Sequence, residues 1–173
     1  MQPITNSLKN HFFVKPVLLE LIEKFKEKHN TLLPSEYNTV HSDWQLLNEY
    51  RPYIDEFSKH IEDTILKVGR SIHLNMFGKF EWNMHYAWFQ QYYEDGTHPW
   101  HTHMECQFTN IYFLELPNNT DKTEIIGLSG ERLEYEAKEG DILTLPSFLM
   151  HCSKPNTNKR KTIISFNTSY GLL

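Results

Sequence analysis

His101-Thr102-His103-Met104-Glu105, with Glu139-Gly140-Asp141-Ile142-Leu143-Thr144-Leu145-Pro146 downstream and then His151, decides how this chain is read. Residues two apart on a β-strand project to the same face. A strand through the first stretch sets His101, His103 and Glu105 in one row on a sheet. The second stretch reads as a tight turn at Glu139-Gly140-Asp141, a buried strand, and a break at Pro146-Ser147 that delivers His151. A histidine arriving from a second strand closes such a row into a three-ligand metal site.

Working outward, the chain from about residue 71 is punctuated by turn signals: Phe77-Gly78-Lys79, Glu94-Asp95-Gly96, Pro117-Asn118-Asn119 and Ser129-Gly130. Between them lie short runs rich in β-branched and aromatic residues, at 71–77, 81–93, 100–108, 110–116, 123–128, 132–137, 141–145 and 161–170. Short strands with regular turns predict a β-sandwich or barrel. The first seventy residues read instead as helical. Val17, Leu18, Leu21, Ile22 and Phe25 recur at helical spacing behind Pro16, placed where a first helical turn tolerates proline. Ile54, Phe57, Ile61, Ile65 and Val68 form a second stripe, with Gly69 as its C-cap. The expected fold is mainly β, a jelly roll buttressed on one face by the N-terminal helices. Residues 1–70 form the helical support within the same domain, and residues 71–173 form the β core.

Composition narrows the class. The 173 residues are 39% hydrophobic and 14% aromatic, enough to bury a core and too apolar for a disordered chain. A net charge of −5, spread along the sequence, argues against a large nucleic-acid footprint. No run approaches membrane-spanning length and the start lacks the pattern of a signal peptide. Cys106 and Cys152 make no disulfide framework, so a reducing, cytoplasmic setting is expected.

Histidine and carboxylate ligands with open positions suit iron(II). Two triads can be built: His103, Glu105 and His151, which includes a carboxylate, or His101, His103 and His151, which does not. Both share His103 and His151. The other seven histidines lack comparable spacing and read as surface or hydrogen-bonding residues, and both cysteines read as packing. Further on, Arg160 alternates with Thr162, Ile164 and Phe166. If these face inward, the guanidinium enters the cavity with the Thr162 hydroxyl beside it, a pair that binds a carboxylate through parallel hydrogen bonds, and Lys161 points outward. A one-residue slip in register exchanges the two.

As an ordered set, His101-Thr102-His103, Ile111-Tyr112-Phe113-Leu114, Glu139-Gly140-Asp141-Ile142-Leu143, Pro146-Ser147, His151, Pro155, Arg160 and Ser165-Phe166-Asn167 resemble the 2-oxoglutarate- and iron(II)-dependent oxygenase superfamily. The nearest flavour is that of oxygenases common in phage and marine microbial genomes, with prolyl hydroxylases more distant. The similarity spans about residues 82 to 170. It implies a double-stranded β-helix with Fe(II) between its sheets, placing His101 and His103 on the first two ligand positions. It also implies 2-oxoglutarate held by Arg160 and Thr162 with a tyrosine, for which Tyr92, Tyr93 and Tyr112 are candidates, and Gln90 on the preceding strand. The implied activity is an oxidoreductase that consumes dioxygen and 2-oxoglutarate and hydroxylates a small molecule or peptide, with succinate and CO2 as co-products. A phage-encoded enzyme would work in the host cytoplasm, and a homo-oligomer is compatible. The superfamily usually carries His-x-Asp or His-x-Glu where this chain has His-x-His. A three-histidine cupin-type dioxygenase and a non-catalytic jelly-roll binding module therefore remain alternatives.

Overall fold

The computed structural model describes residues 2–29, 39–72 and 79–172. In chain order these form β1 (Ile4–Ser7), α1 (His11–Lys28), β2 (Val40–Ser42), α2 (Pro52–Ile72), β3 (Phe80–Tyr92), β4 (His98–His101), β5 (Phe108–Glu115), β6 (Glu124–Ile126), β7 (Asp141–Pro146), β8 (Met150–Ser153) and β9 (Lys161–Leu172). The strands make a jelly roll. A major sheet runs β1-β7-β5-β9-β3-β2, and a minor sheet β4-β8-β6 faces it. Neighbours are antiparallel throughout.

The helices cover the outer face of the major sheet. α1 buries Val14, Leu18, Ile22 and Phe25, and α2 buries Tyr53, Phe57, Ile61, Ile65 and Val68, the repeat of an amphipathic helix. They pack on Phe89, Tyr112, Leu114, Ile142, Ile164 and Phe166 to form one core. The inner face packs on the minor sheet through Tyr92, Ile111, Phe113, Leu143, Leu145 and Ile163, a second core. β3, β5, β7 and β9 are thus apolar on both faces, one parity toward the helices and the other toward the jelly-roll interior.

Several expectations need correction. The first seventy residues supply two strands as well as helices, since β1 and β2 close the two edges of the major sheet. α1 begins at His11, so Pro16 sits inside the helix, at an exposed position. Gly69 does not end α2. It lies in the last turns where the helix crosses the sheet, and a β-carbon there would come within 2.5 Å of the Phe80 ring and 2.8 Å of the Tyr170 ring. Run 132–137 forms no strand beyond one bridge, Ile126 to Arg132. Of run 71–77, Ser71 and Ile72 end α2 and the rest lies outside the described residues, as does Phe77-Gly78. Gly140 does turn the chain, at φ +90°. Among the described residues no helix is long and apolar enough to cross a membrane.

Candidate metal centre and adjoining cleft

β4 ends at His101, so the row of three ligands on one strand does not form. His101 instead stands directly across from His151 of β8 in the antiparallel pairing, with ring centroids 4.3 Å apart. The chain then leaves the sheet, and its loop is pinned by the His103 N–H donating to the Ser147 carbonyl at 2.9 Å. This swings the His103 ring to 5.2 Å from His101 and 5.0 Å from His151. The three residues can each offer a ligand atom, all within 4.8 Å of one another. Glu105 is not among them. It adopts a left-handed backbone conformation, φ +62°, and lies exposed on the rim of a neighbouring cleft.

The hydrogen bonds of the three rings fix which nitrogen is available. Nδ1 of His101 donates to the Pro99 carbonyl at 2.8 Å, Nδ1 of His151 to the Leu149 carbonyl at 3.0 Å, and Nδ1 of His103 to Asn167 Oδ1 at 2.8 Å. A carbonyl oxygen only accepts, so each Nδ1 carries the proton. Burial depresses all three pKa values, that of His151 to about 3, so the rings stay neutral near pH 7. Each Nε2 is left with its lone pair. Neutral imidazoles oriented by an oxygen on the far nitrogen are what a first-row divalent metal requires, so the donor set fits iron(II).

A fourth ring, His98, packs edge-on against His101 at 4.3 Å, and burial holds its pKa down at about 4. His98 is one of the seven histidines expected at the surface or in hydrogen bonds. It is three residues from His101, out of phase for a regular strand, and a register irregularity in β4 turns it to the site.

The expected acid-binding pair lies on the other side of the sheet. Arg160 donates from Nε and Nη2 to the two Glu115 carboxylate oxygens at 2.9 and 3.0 Å, and from Nη1 to Glu23 at 2.7 Å. The Thr162 hydroxyl donates to Glu115 as well. Tyr112 also faces the helices, bonded through its hydroxyl to His11 Nδ1 at 2.7 Å and stacked on Phe57. The parity is therefore one residue off from the expectation. Thr162, Ile164 and Phe166 do face a core, but it is the helix-packed one. The interior of the jelly roll is met by Lys161, Ile163, Ser165 and Asn167.

Lys161 is accordingly buried, at 1% exposure. Its ammonium donates to the Asp121 carbonyl at 2.9 Å and to Ser153 Oγ at 2.5 Å, and lies 4.1 Å from the centre of the Tyr92 ring. None of these contacts is a carboxylate. Burial pulls its pKa down to about 8. Ser153 follows His151 by two residues on β8, so the ammonium and the histidine centre share one interior face. A narrow recess runs inward from the histidines, walled by Gln90, Thr123, Ile163, Ser165 and by Tyr92 and Ser153, the two side chains that the ammonium touches. Gln90 and Tyr92, two of the expected co-substrate contacts, line this recess, whereas Tyr93 does not. On its outer side the centre opens into a cleft of about 660 Å³ lined by Trp44, Tyr86, Trp88, Met104 and Glu105.

No protein-family model matches the chain, and no curated protein matches its sequence. Solved structures do match the fold. A prolyl-4-hydroxylase from Pseudomonas putida superposes with a TM-score of 0.63 at 11% identity, covering 96% of this chain and 91% of its own. The viral collagen prolyl hydroxylase of Paramecium Bursaria Chlorella virus-1, in complex with 2OG, gives 0.58 at 14% identity over 97% and 96%. A prolyl hydroxylase from Trichoplax adhaerens, bound to a hypoxia inducible factor oxygen degradation domain peptide fragment, gives 0.65 at 12% identity over 95% and 82%. At these identities the likeness shows a shared jelly-roll fold along nearly the whole chain.

Proposed function

We propose that this protein is a 2-oxoglutarate- and iron(II)-dependent oxygenase that hydroxylates a C–H bond of a small-molecule or peptide substrate. One observation carries the reading. Among the described residues no carboxylate is within ion-pair distance of the buried Lys161 ammonium, Asp121 acting on it from farther away, and the ammonium shares an interior face with three histidines whose Nε2 atoms are free to bind metal. A buried cation without a direct ion pair is costly, and a dianionic co-substrate spanning from the metal to Lys161 would offset that cost. Hydroxylases among the solved structures of the same fold add to it.

His101, His103 and His151 would hold iron(II), which when bound activates dioxygen for oxidation of 2-oxoglutarate and substrate. The balance is substrate C–H plus O2 plus 2-oxoglutarate giving substrate C–OH, succinate and CO2. Lys161 anchors the far carboxylate in place of Arg160, with Tyr92 and Ser153 shaping its seat. Asn167 holds the His103 ring through Nδ1. Trp88, stacked on His103 at 5.6 Å, forms the part of the cleft wall that adjoins the centre. Succinate formation from 2-oxoglutarate, measured by NMR with iron(II), ascorbate and air, tests the reading. Turnover above the metal-free control, abolished in Lys161→Met, supports it.

The donor set itself favours one second reading. With three neutral rings and no carboxylate in the cluster, a three-histidine dioxygenase acting without 2-oxoglutarate is the alternative. Oxygen consumption with candidate substrates that is indifferent to 2-oxoglutarate would establish it.

A further inference from the structure

The cleft outside the histidine centre has a composition of its own. Trp44 and Tyr86 are about half exposed, at 49% and 42%, and Trp44 meets Trp88 edge to face at 4.4 Å. Trp88 in turn stacks on His103, so an aromatic ladder runs from the open cleft to the metal centre. The wall is held from behind, because the buried carboxylate of Asp43 accepts from the Phe89 N–H at 2.9 Å and from the Tyr53 hydroxyl. Among the described residues Glu105 supplies the cleft's only carboxylate, and no lysine or arginine lines it. That carboxylate makes no hydrogen bond or ion pair with any described residue. The left-handed backbone that carries it is a conformation a non-glycine residue adopts at some cost.

Aromatic faces attract cations through the ring quadrupole, and an unpaired carboxylate on the rim adds charge of the matching sign. We propose that the cleft receives a substrate bearing a cationic nitrogen, held by Trp44, Tyr86 and Glu105, with a neighbouring C–H bond turned toward the histidine centre. This rests on the oxygenase reading for the chemistry but not for the binding. Iron(II) and dianionic 2-oxoglutarate cancel on three neutral rings, and the one remaining positive charge, on Lys161, does not line the cleft, so the loaded centre presents no net charge of its own to the cation.

Choline and its neutral isostere 3,3-dimethylbutanol have nearly the same shape and differ in charge. Each is titrated into metal-free protein, and anaerobically into protein loaded with iron(II) and 2-oxoglutarate, following tryptophan fluorescence. The expected result is about tenfold tighter binding of choline, reduced several-fold in Glu105→Gln and again in Trp44→Ala. Comparing free trimethyl-lysine with the same residue in a short peptide distinguishes a small-molecule source of the cation from a side chain. Equal binding of choline and 3,3-dimethylbutanol, or a preference untouched by both substitutions, overturns the proposal. Failure in the metal-free titration while iron and 2-oxoglutarate still bind removes this proposal alone. Intact cation preference without iron binding removes the oxygenase reading instead.

Discussion

Lys161 and Asn167 are the residues on which the account can be broken most cheaply. Lys161 has a folded-state pKa near 8, below that of an exposed lysine, so between about pH 8 and 10.5 the unfolded chain binds more protons than the folded one. Its contribution to stability therefore rises with pH across that window, and its full penalty applies below pH 8. Lys161→Met should raise the melting temperature at pH 7, by a margin that shrinks toward pH 10.5, while 2-oxoglutarate affinity falls at least tenfold. In the parent protein that affinity should decline as pH climbs past 8, where the ammonium is lost. Calorimetric titrations and thermal melts across pH read both. Arg160→Gln should leave co-substrate affinity within about twofold, since its guanidinium is engaged by Glu115 and Glu23. Asn167 orients one ligand, and removing such an outer partner costs roughly 10–100-fold in metal affinity. Asn167→Leu should show that loss in an iron or cobalt titration, with Asn167→Asp recovering much of it.

At the level of elements, β9 explains what could and could not be read from sequence. Its alternation was plain, yet both faces of the strand are buried, one by helices and one by the minor sheet. Hydrophobicity carries no sign that distinguishes two buried faces, so the phase was taken one residue off and Arg160 stood in for Lys161. The same ambiguity leaves Tyr92, Tyr93 and Tyr112 equally eligible in the sequence, and of the three Tyr92 lines the recess. The histidines were legible because metal-binding residue types are rare in company. Their support was not, because a loop pinned by Ser147 brings in His103 where a strand was expected. His98 and Trp44 carry no spacing signal, and Asn167 appears only within the ordered Ser165-Phe166-Asn167 without a role; the fold assembles them. Gly69 was legible as a glycine that mattered, though for a different reason. Its missing β-carbon admits the rings of Phe80 and Tyr170 against α2. Gly69→Ala should therefore destabilise by about 1–2 kcal/mol despite better helix propensity, the cost of overpacking exceeding the gain of about 1 kcal/mol. Urea denaturation measures it, and a stabilised variant would show that the helix can lift away freely.

Over the whole molecule, a two-sheet roll holds the histidine centre, the lysine recess and the aromatic cleft in line, with the helices as backing. The helices do not touch the centre. They bury the outer face of the major sheet and so give β3 and β9 the rigidity that keeps Trp88, Lys161 and Asn167 in place. The jelly roll was foreseen from its short strands and turns, whereas the two edge strands contributed by the N-terminal segment were too short to register against the helices around them. The central claim is that iron(II) and 2-oxoglutarate meet on His101, His103 and His151 with Lys161 at the far end. The measurement that tests it most directly is anaerobic titration of iron(II) and then 2-oxoglutarate into metal-free protein, watched for the weak visible charge-transfer absorption of the chelate. The band should grow to one equivalent, be absent in His151→Ala, and require far more 2-oxoglutarate in Lys161→Met. Stoichiometric iron binding with no band at saturating 2-oxoglutarate would contradict the claim.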